Sequence, residues 1–469
     1  MKRDISIILI GLLIIVFFVR IGSYSKKHNL TYDEVVYSTL AVQIIENPAN
    51  YNTVGLYQRD TKRGRKLPEY FKKPLFKHPP LFPQLITVSY KLFARTYFSA
   101  FKVSLLFGVL LIVLAYLLGA TLFDNRVGLY AAFLMSIEPI VWISSQKIWV
   151  ETTLAFFTIL SLYLFARSIK KYNPYFMIAS GISAGLAVLC KYPGILAWGI
   201  IFLYAACGER WLFKRKTFIL SLLIPFIMLI PWLAWNYRIY GAELFSANVE
   251  VTRILEKINL LIKNFWGVFL FAGLVSACLI AIKKKSRGLY ERIFLSKLKV
   301  FKWILIIALF CAVGFMLRIH IINALNFVHV PRTGWRMGMF YNEPWYFYLG
   351  RLMELSPFYI FSFAGLLLLI FDRQRLKDYS FLFFASAVIL AFYILWGNYQ
   401  CRYISAVVVP LMVLSSKTQL YIADIFSRIH SRLIRYIAYG CALSIVAYAV
   451  LKTLRIDIIL AVPNNICYF

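Results

Sequence analysis

Residues 99–121 read SAFKVSLLFGVLLIVLAYLLGAT, an apolar run with a single charge, Lys102. Such a run is long enough to cross a hydrocarbon core of about 30 Å as one helix. Runs of the same kind recur along the whole chain. They fall near 5–21, 127–144, 151–168, 174–190, 193–207 and 218–236, then near 264–282, 302–320, 355–371, 380–396, 402–417 and 434–451. About thirteen spans predict an all-α fold, a polytopic transmembrane helical bundle. Of 469 residues, 61% are hydrophobic and 15% charged, against about 45–50% apolar and about 25% charged in a soluble chain. A soluble enzyme, a disordered chain and a disulfide scaffold are thereby excluded. An outer-membrane barrel is excluded too, because its strands would alternate over about 10 residues.

The formal net charge of +32 would ordinarily suggest nucleic acid. Here most cations flank hydrophobic runs, so topology is the better account and no nucleic-acid partner is expected. With the N-terminus cytoplasmic, 25 of the 52 basic residues fall in short inner segments, such as Arg167, Lys170 and Lys171, or Arg210, Lys214, Arg215 and Lys216. The short outer loops near 145–150, 191–192 and 397–401 hold only Lys147 and Lys191. The run Ile5–Ile21 follows Lys2 and Arg3 without a small-residue cleavage site and reads as an uncleaved first span. The seven cysteines form no CxxC and read as small core residues.

The chain reads as a single integral membrane domain, 1–469. A core of 1–236 contains a first outer loop, 22–98; the C-terminal spans, 237–469, contain outer loops 237–263 and 321–354. Juxtamembrane helices are expected in these loops, one after Asp33 and one over 247–263. Twelve basic residues crowd the first outer loop, among them Arg59, Lys62, Arg63, Arg65 and Lys66. They are either a solvated surface or a mouth that collects a lipid phosphate.

Ionisable residues at span ends are the candidates for chemistry. Thr31-Tyr32-Asp33-Glu34 precedes an amphipathic helix with Ala41, Ile44 and Ile45, and its acids either cap that helix or act in catalysis. Lys77-His78-Pro79-Pro80 places a cation and an imidazole beside a rigid corner. Glu151 opens a span, either as a cap or as a second acid. Lys191 and Arg402 are lone outer cations at span ends, where snorkelling is the bland account.

Taken in order, Asp33-Glu34 with Tyr37, Lys77-His78-Pro79-Pro80-Leu81, Glu151 with Leu154, Phe156 and Phe157, Gly185-Leu186-Ala187 with Lys191, Pro231-Trp232, Pro344-Trp345-Tyr346-Phe347-Tyr348 and Arg402-Tyr403 form a series. It resembles the GT-C glycosyltransferases of the dolichyl-phosphate-mannose protein mannosyltransferase and lipid A aminoarabinose transferase kind. The resemblance implies an inverting glycosyltransferase of the plasma membrane. It would move a sugar from a polyprenyl phosphate carrier to a hydroxyl on a protein, lipid or glycan acceptor, at the outer face. It further implies Asp33 as catalytic base with Glu34 and Glu151 beside it, and Lys77, His78, Lys191 and Arg402 around the donor phosphate. Tyr37, Trp345, Tyr346 and Tyr348 would touch substrate or lipid. This chain departs from the pattern at His78, where many relatives have Lys, and at Glu151, where Asp is commoner. The chemistry suits the residue types: a carboxylate takes the acceptor proton and cations steady the leaving phosphate.

No cofactor is demanded; a divalent metal on Asp33, Glu34 and His78 stays open, though no ligand spacing requires one. The competing readings are a lipid flippase or secondary transporter, and an inactive relative that binds prenyl lipid. A transporter would carry mid-span charges and repeated halves, which this sequence lacks. If the basic loop gathers donor, neutralising Arg63, Arg65 and Lys66 raises the apparent donor KM, and more so at low salt. An unchanged KM returns these residues to a solvated surface.

Overall fold

The computed structural model describes residues 2–22, 30–57, 67, 69–171, 173–241, 244, 346–365, 376–396, 399–428 and 431–460. The expected spans near 264–282 and 302–320, the stretch 247–263, the basic run 59–66 and the aromatic residues Trp335, Phe340, Tyr341 and Trp345 lie outside them.

Every element among the described residues is helical. The chain opens with α1 (Lys2–Gly22), the juxtamembrane α2 (Tyr32–Glu46) and α3 (Leu81–Leu92). Next come α4 (Tyr97–Leu122), α5 (Asn125–Ser136), α6 (Pro139–Ser144), α7 (Glu151–Lys171), α8 (Pro174–Cys190), α9 (Ile195–Gly208) and α10 (Lys216–Tyr240). The rest are α11 (Phe347–Leu355), α12 (Phe358–Ala364), α13 (Leu376–Trp396), α14 (Ser405–Ser427) and α15 (Arg432–Leu460). By length and composition, six stretches among the described residues can cross a membrane: Tyr97–Leu122, Glu151–Lys171, Lys216–Tyr240, Asp378–Trp396, Cys401–Ser427 and Tyr436–Ile456.

Helix starts are written in the sequence. Thr96 accepts from the Ser99 amide to begin α4, and Asp124 from the Val127 amide to begin α5. Asn173 caps α8 ahead of Pro174. The run over 127–144, expected as one span, is two helices. Glu138 caps the second by accepting from the Val141 amide at 2.8 Å, and Pro139 can only start a helix here. The same buried carboxylate takes the Tyr359 hydroxyl at 2.5 Å, so the break is satisfied from both sides.

Position in the bundle follows burial. In the crossing stretches of α14, α4 and α7, 72%, 67% and 67% of residues are buried, against 28% for α10 and 17% for α15. The first three form the centre and the last two the rim. In lipid, apolar faces gain little from meeting one another, so close approach and interhelical hydrogen bonds must hold the centre together. Ser161 on α7 and Ser180 on α8 each donate to the other's carbonyl, at 2.9 and 2.8 Å. Ser104 on α4 donates to the Trp149 carbonyl, and Thr152 on α7 donates back to Ser104. Tyr130 on α5 reaches Gln419 on α14 at 2.6 Å.

The two ends of α7 differ in chemistry. At its C-terminal end Lys170 pairs with Asp378 of α13 at 3.0 Å and caps the Leu122 carbonyl of α4. At its other end lie Glu151 and, close by, the starts of α2, α4 and α14, so several helix ends converge on one face. The α8–α10 contact depends on a glycine. A Cβ added at Gly181 would run into the Ser221 backbone, which cannot yield as a flexible side chain could. Gly181→Val is expected to lower the thermal midpoint in detergent by several degrees, whereas Gly199→Val, with open space around it, leaves it unchanged. Equal midpoints for the two variants would show that α8 and α10 do not pack at this glycine.

Candidate active site

The two acids of the Asp33-Glu34 pair have different fates. Glu34 is fully buried. One carboxylate oxygen accepts from the Thr31 amide at 2.7 Å and the Thr31 hydroxyl at 2.9 Å, the return half of a capping box. The other accepts from the Tyr97 hydroxyl at 3.0 Å and the Ile148 amide at 3.1 Å, while the Lys147 ammonium lies 3.8 Å from the oxygen that Thr31 engages. The Trp149 indole adds a hydrogen bond to Thr31 at 3.1 Å. Glu34 therefore pins the start of α2 to the start of α4 and to the segment leading into α7. Successive residues of a helix point about 100° apart, so anchoring Glu34 turns Asp33 to a different neighbour.

That neighbour is Arg402, in the 3-10 turn Cys401–Ile404 before α14. Its Nη2 lies 2.6 Å from Asp33 Oδ2 and its Nε donates to Gln400 Oε1 at 2.7 Å. The guanidinium also sits 4.4 Å over the Trp149 ring and 5.2 Å from the Tyr403 ring. A second pair lies alongside. Lys191, between α8 and the turn Tyr192–Gly194, reaches Glu151 Oε1 at 3.1 Å and lies 4.5 Å over Tyr403. Glu151 Oε2 is buried without a hydrogen-bond partner. Four charged groups from four separate segments thus meet as two adjacent ion pairs, with the Asp33 side chain 29% exposed and those of Arg402 and Glu151 at 9% and 3%.

The corner at His78 is rigid. Tyr51 donates to the His78 carbonyl at 2.8 Å, Tyr192 to the Phe76 carbonyl at 2.7 Å, and the Leu75 amide to the Tyr51 carbonyl at 2.7 Å. The imidazole Nδ1 shares a 2.9 Å hydrogen bond with the Tyr37 hydroxyl. Burial pushes the His78 pKa down, and Lys191, Lys77 and Arg402 reinforce this against the pull of Asp33, bringing it to about 3. The ring is therefore neutral at pH 7. Burial works to raise the Asp33 carboxyl, but Arg402, Lys191 and His78 outweigh it and hold it at about 2. Both shifts make the folded chain bind fewer protons than the unfolded one. The Asp33 contribution to stability is complete above 3.8 and lost as pH falls through 2; that of His78 is complete above 6.5 and lost toward 3.

The structure therefore brings together Asp33, Glu151, Lys191, Arg402, His78 and Tyr37 from the residues singled out in the sequence. Lys77 lies at the exposed edge beside His78. Tyr348 is buried behind the site, its hydroxyl accepting from the Gln400 amide at 3.3 Å. Tyr346 precedes α11, half-buried. The three candidate metal ligands are committed elsewhere, Asp33 to Arg402, Glu34 to Thr31, Tyr97 and Ile148, and His78 to Tyr37. Among the described residues no group of three or more His, Cys, Asp or Glu is placed to hold a metal ion. Tyr393, Trp396 and Tyr403 form three near-parallel rings, with centroids 5.8, 6.0 and 6.2 Å apart. Tyr393 and Trp396 carry no sequence signal, since they end an apolar run. Gln400 and Trp149 stand two residues before the charged candidates Arg402 and Glu151, and that closeness is their only sequence signal.

Chemically, such a site offers an ionised carboxylate to a hydroxyl and a bidentate-capable cation to an anion. The sequence pattern of the family described as dolichyl-phosphate-mannose-protein mannosyltransferase matches residues 77–235, which include His78, Glu151 and Lys191. Among curated proteins, no sequence match is found. Among solved structures, ArnT from Cupriavidus metallidurans bound to undecaprenyl phosphate is similar in fold, with a TM-score of 0.54 at 13% identity over 100% of this chain and 77% of that one. The archaeal oligosaccharyltransferase AglB from Archaeoglobus fulgidus, in complex with an inhibitory peptide and a dolichol-phosphate, has a TM-score of 0.56 at 16% identity, over 98% of this chain and 56% of that one.

The clamp and the ion pair respond differently to mutation. Glu34→Ala removes the carboxylate from a closed cluster that includes Lys147 and is expected to cost on the order of 3 kcal/mol of stability. Asp33→Asn, at a partly open position, shifts the thermal midpoint far less. Unfolding curves in detergent check this; a Glu34→Ala protein as stable as Asp33→Asn would show that Glu34 is not the anchor.

Proposed function

We propose that this chain is a membrane glycosyltransferase of the protein mannosyltransferase and ArnT kind, and that it transfers a sugar from a polyprenyl phosphate carrier to an acceptor hydroxyl, with inversion. The observation that carries this reading is the pairing of Asp33 with Arg402 beside Glu151 with Lys191, at the convergent ends of the helices. In the reaction, the acceptor oxygen attacks the anomeric carbon while its proton passes to Asp33. The bond from that carbon to the phosphate oxygen breaks, and the prenyl phosphate leaves with the electron pair. One displacement on one face inverts the configuration. Arg402 and Lys191 face the charge that grows on the leaving oxygen, in a setting where low dielectric strengthens them.

Other residues take supporting parts. Neutral His78, braced by Tyr37, can donate or accept a hydrogen bond but adds no charge. Lys77 at the rim meets the phosphate on entry. The unpartnered oxygen of Glu151 accepts from a sugar or acceptor hydroxyl. Tyr393, Trp396 and Tyr403 offer flat apolar surface next to the cations. We place the site at the outer face of the plasma membrane with the N-terminus cytoplasmic, on the Lys/Arg distribution. The acceptor is a hydroxyl on protein, lipid or glycan. A transporter reading is disfavoured because, among the described residues, the paired charges of the spans stand at their ends.

The test is sugar transfer in proteoliposomes from a polyprenyl-phosphate sugar. Asp33→Asn is expected to lower kcat by about 10²–10⁴-fold, and Lys191→Gln to raise the donor KM. Transfer at the wild-type rate by Asp33→Asn would remove Asp33 as the base. Donor binding without turnover in the wild-type chain, over a broad panel of acceptors, would make the protein a lipid-binding relative instead.

A further inference from the structure

The hydrogen bonds of Arg402 and the charge balance around it point to a second task for this residue, one that rests on the donor reading above. Of the five N–H groups in its fork, one at Nε goes to Gln400 and one at Nη2 goes to Asp33. Among the described residues Nη1 makes no hydrogen bond. The plane is held from the side by Trp149. Gln400 and Trp149 can thus keep the guanidinium in place if Asp33 lets go.

Charge balance says when it should. The site holds two carboxylates, Asp33 and Glu151, and two cations, Arg402 and Lys191. Among the described residues, the other polar groups facing Asp33 are His78, which is neutral, and Tyr32 and Tyr37 on its own helix; Lys77 stands outside at the edge. Counted over the described residues, the resting site is electrically balanced. A phosphodiester monoanion would leave one negative charge in excess, which is costly in so enclosed a place. During transfer the acceptor proton neutralises Asp33 as the leaving phosphate gains a second charge, so the excess stays at one and moves onto the phosphate beside Arg402 and Lys191.

We infer that Arg402 is held in common by Asp33 and the donor: the arriving phosphate draws the terminal nitrogens of the guanidinium off Asp33, and only then is Asp33 released to act as base. In the resting protein Asp33 is a strong partner of Arg402 and a weak acceptor for a hydroxyl. Donor binding weakens the first interaction and so strengthens the second. The ion pair thereby imposes an order, donor before deprotonation of the acceptor. It follows that Asp33 competes with the donor phosphate for the same cation, which a base that merely sits nearby would not do.

The experiment measures the affinity of undecaprenyl phosphate for the full chain in nanodiscs, comparing wild type, Asp33→Asn and Asp378→Asn. Asp378 removes the same charge at the far end of α7. Competition predicts that Asp33→Asn, though defective in transfer, binds the lipid phosphate more tightly by on the order of five- to tenfold, while Asp378→Asn stays within about twofold. If Asp33→Asn folds poorly, Asp33→Ser gives the same reading. The rise in thermal midpoint on adding the lipid is an independent measure, and it should be larger in the Asp33 variant than in wild type. Affinity that is equal or weaker in both Asp33 variants overturns the inference alone. Absence of binding by every chain, wild type included, overturns the donor reading and the inference with it.

Discussion

The buried carboxylate of Glu34 is the contact on which the site depends. An ionised group this enclosed is tolerated only when its oxygens are fully engaged. Glu34 meets that demand by gathering the N-cap of α2, the Tyr97 hydroxyl, the Ile148 amide and the Lys147 ammonium. Three segments far apart in sequence are thereby fixed to one another. The amide it binds lies three residues before Glu151, and its own neighbour is Asp33. The position of one acid in the site and the approach to the other follow from a single satisfied charge.

The bundle supplies the remaining constraint. Helices that cross a membrane present their ends at two surfaces, and only there can several charged groups meet without an isolated ion in hydrocarbon. At one surface the ends carry Asp33, Glu151, Lys191 and Arg402 in pairs. At the other, Lys170 and Asp378 pair beside the end of α4. Between them the contacts are small residues and hydroxyl-to-carbonyl bonds such as Ser161 with Ser180. These contacts keep the convergent ends at fixed separations, as preorganised electrostatic stabilisation requires.

Much of this was legible in the sequence. The apolar runs marked α4, α7, α8, α10, α13, α14 and α15, because a span must be long and nearly uncharged. Thr31 ahead of two acids announced the helix cap, which Glu34 completes, whereas Asp33 turns to Arg402. Where sequence reading fell short, a local feature had a tertiary cause. The run 127–144 has the composition of one span, yet Glu138 and Pro139 divide it, since Tyr359, more than 200 residues away, completes the carboxylate's hydrogen bonds. That His78 is a neutral ring held by Tyr37 was not legible either, because its burial comes from the packed helices around it. Tyr393 and Trp396 could not be separated from other apolar residues, because stacking depends on a neighbour, Tyr403, from the next segment.

By itself the sequence determined that this chain is a helical membrane protein, where most of its helices begin, and which charged residues sit at their ends. Those are local properties: hydropathy over one span, a cap within one turn, a proline's lost amide. Only the tertiary structure decided which charge meets which. The pairing of Asp33 with Arg402 joins positions 369 residues apart, and that of Glu151 with Lys191 crosses between two helices. The physical reason is that an ion pair is set by where the packed helices hold its two ends. That packing depends on contacts such as Gly181 against Ser221 and Glu34 against Ile148, which sequence spacing does not encode.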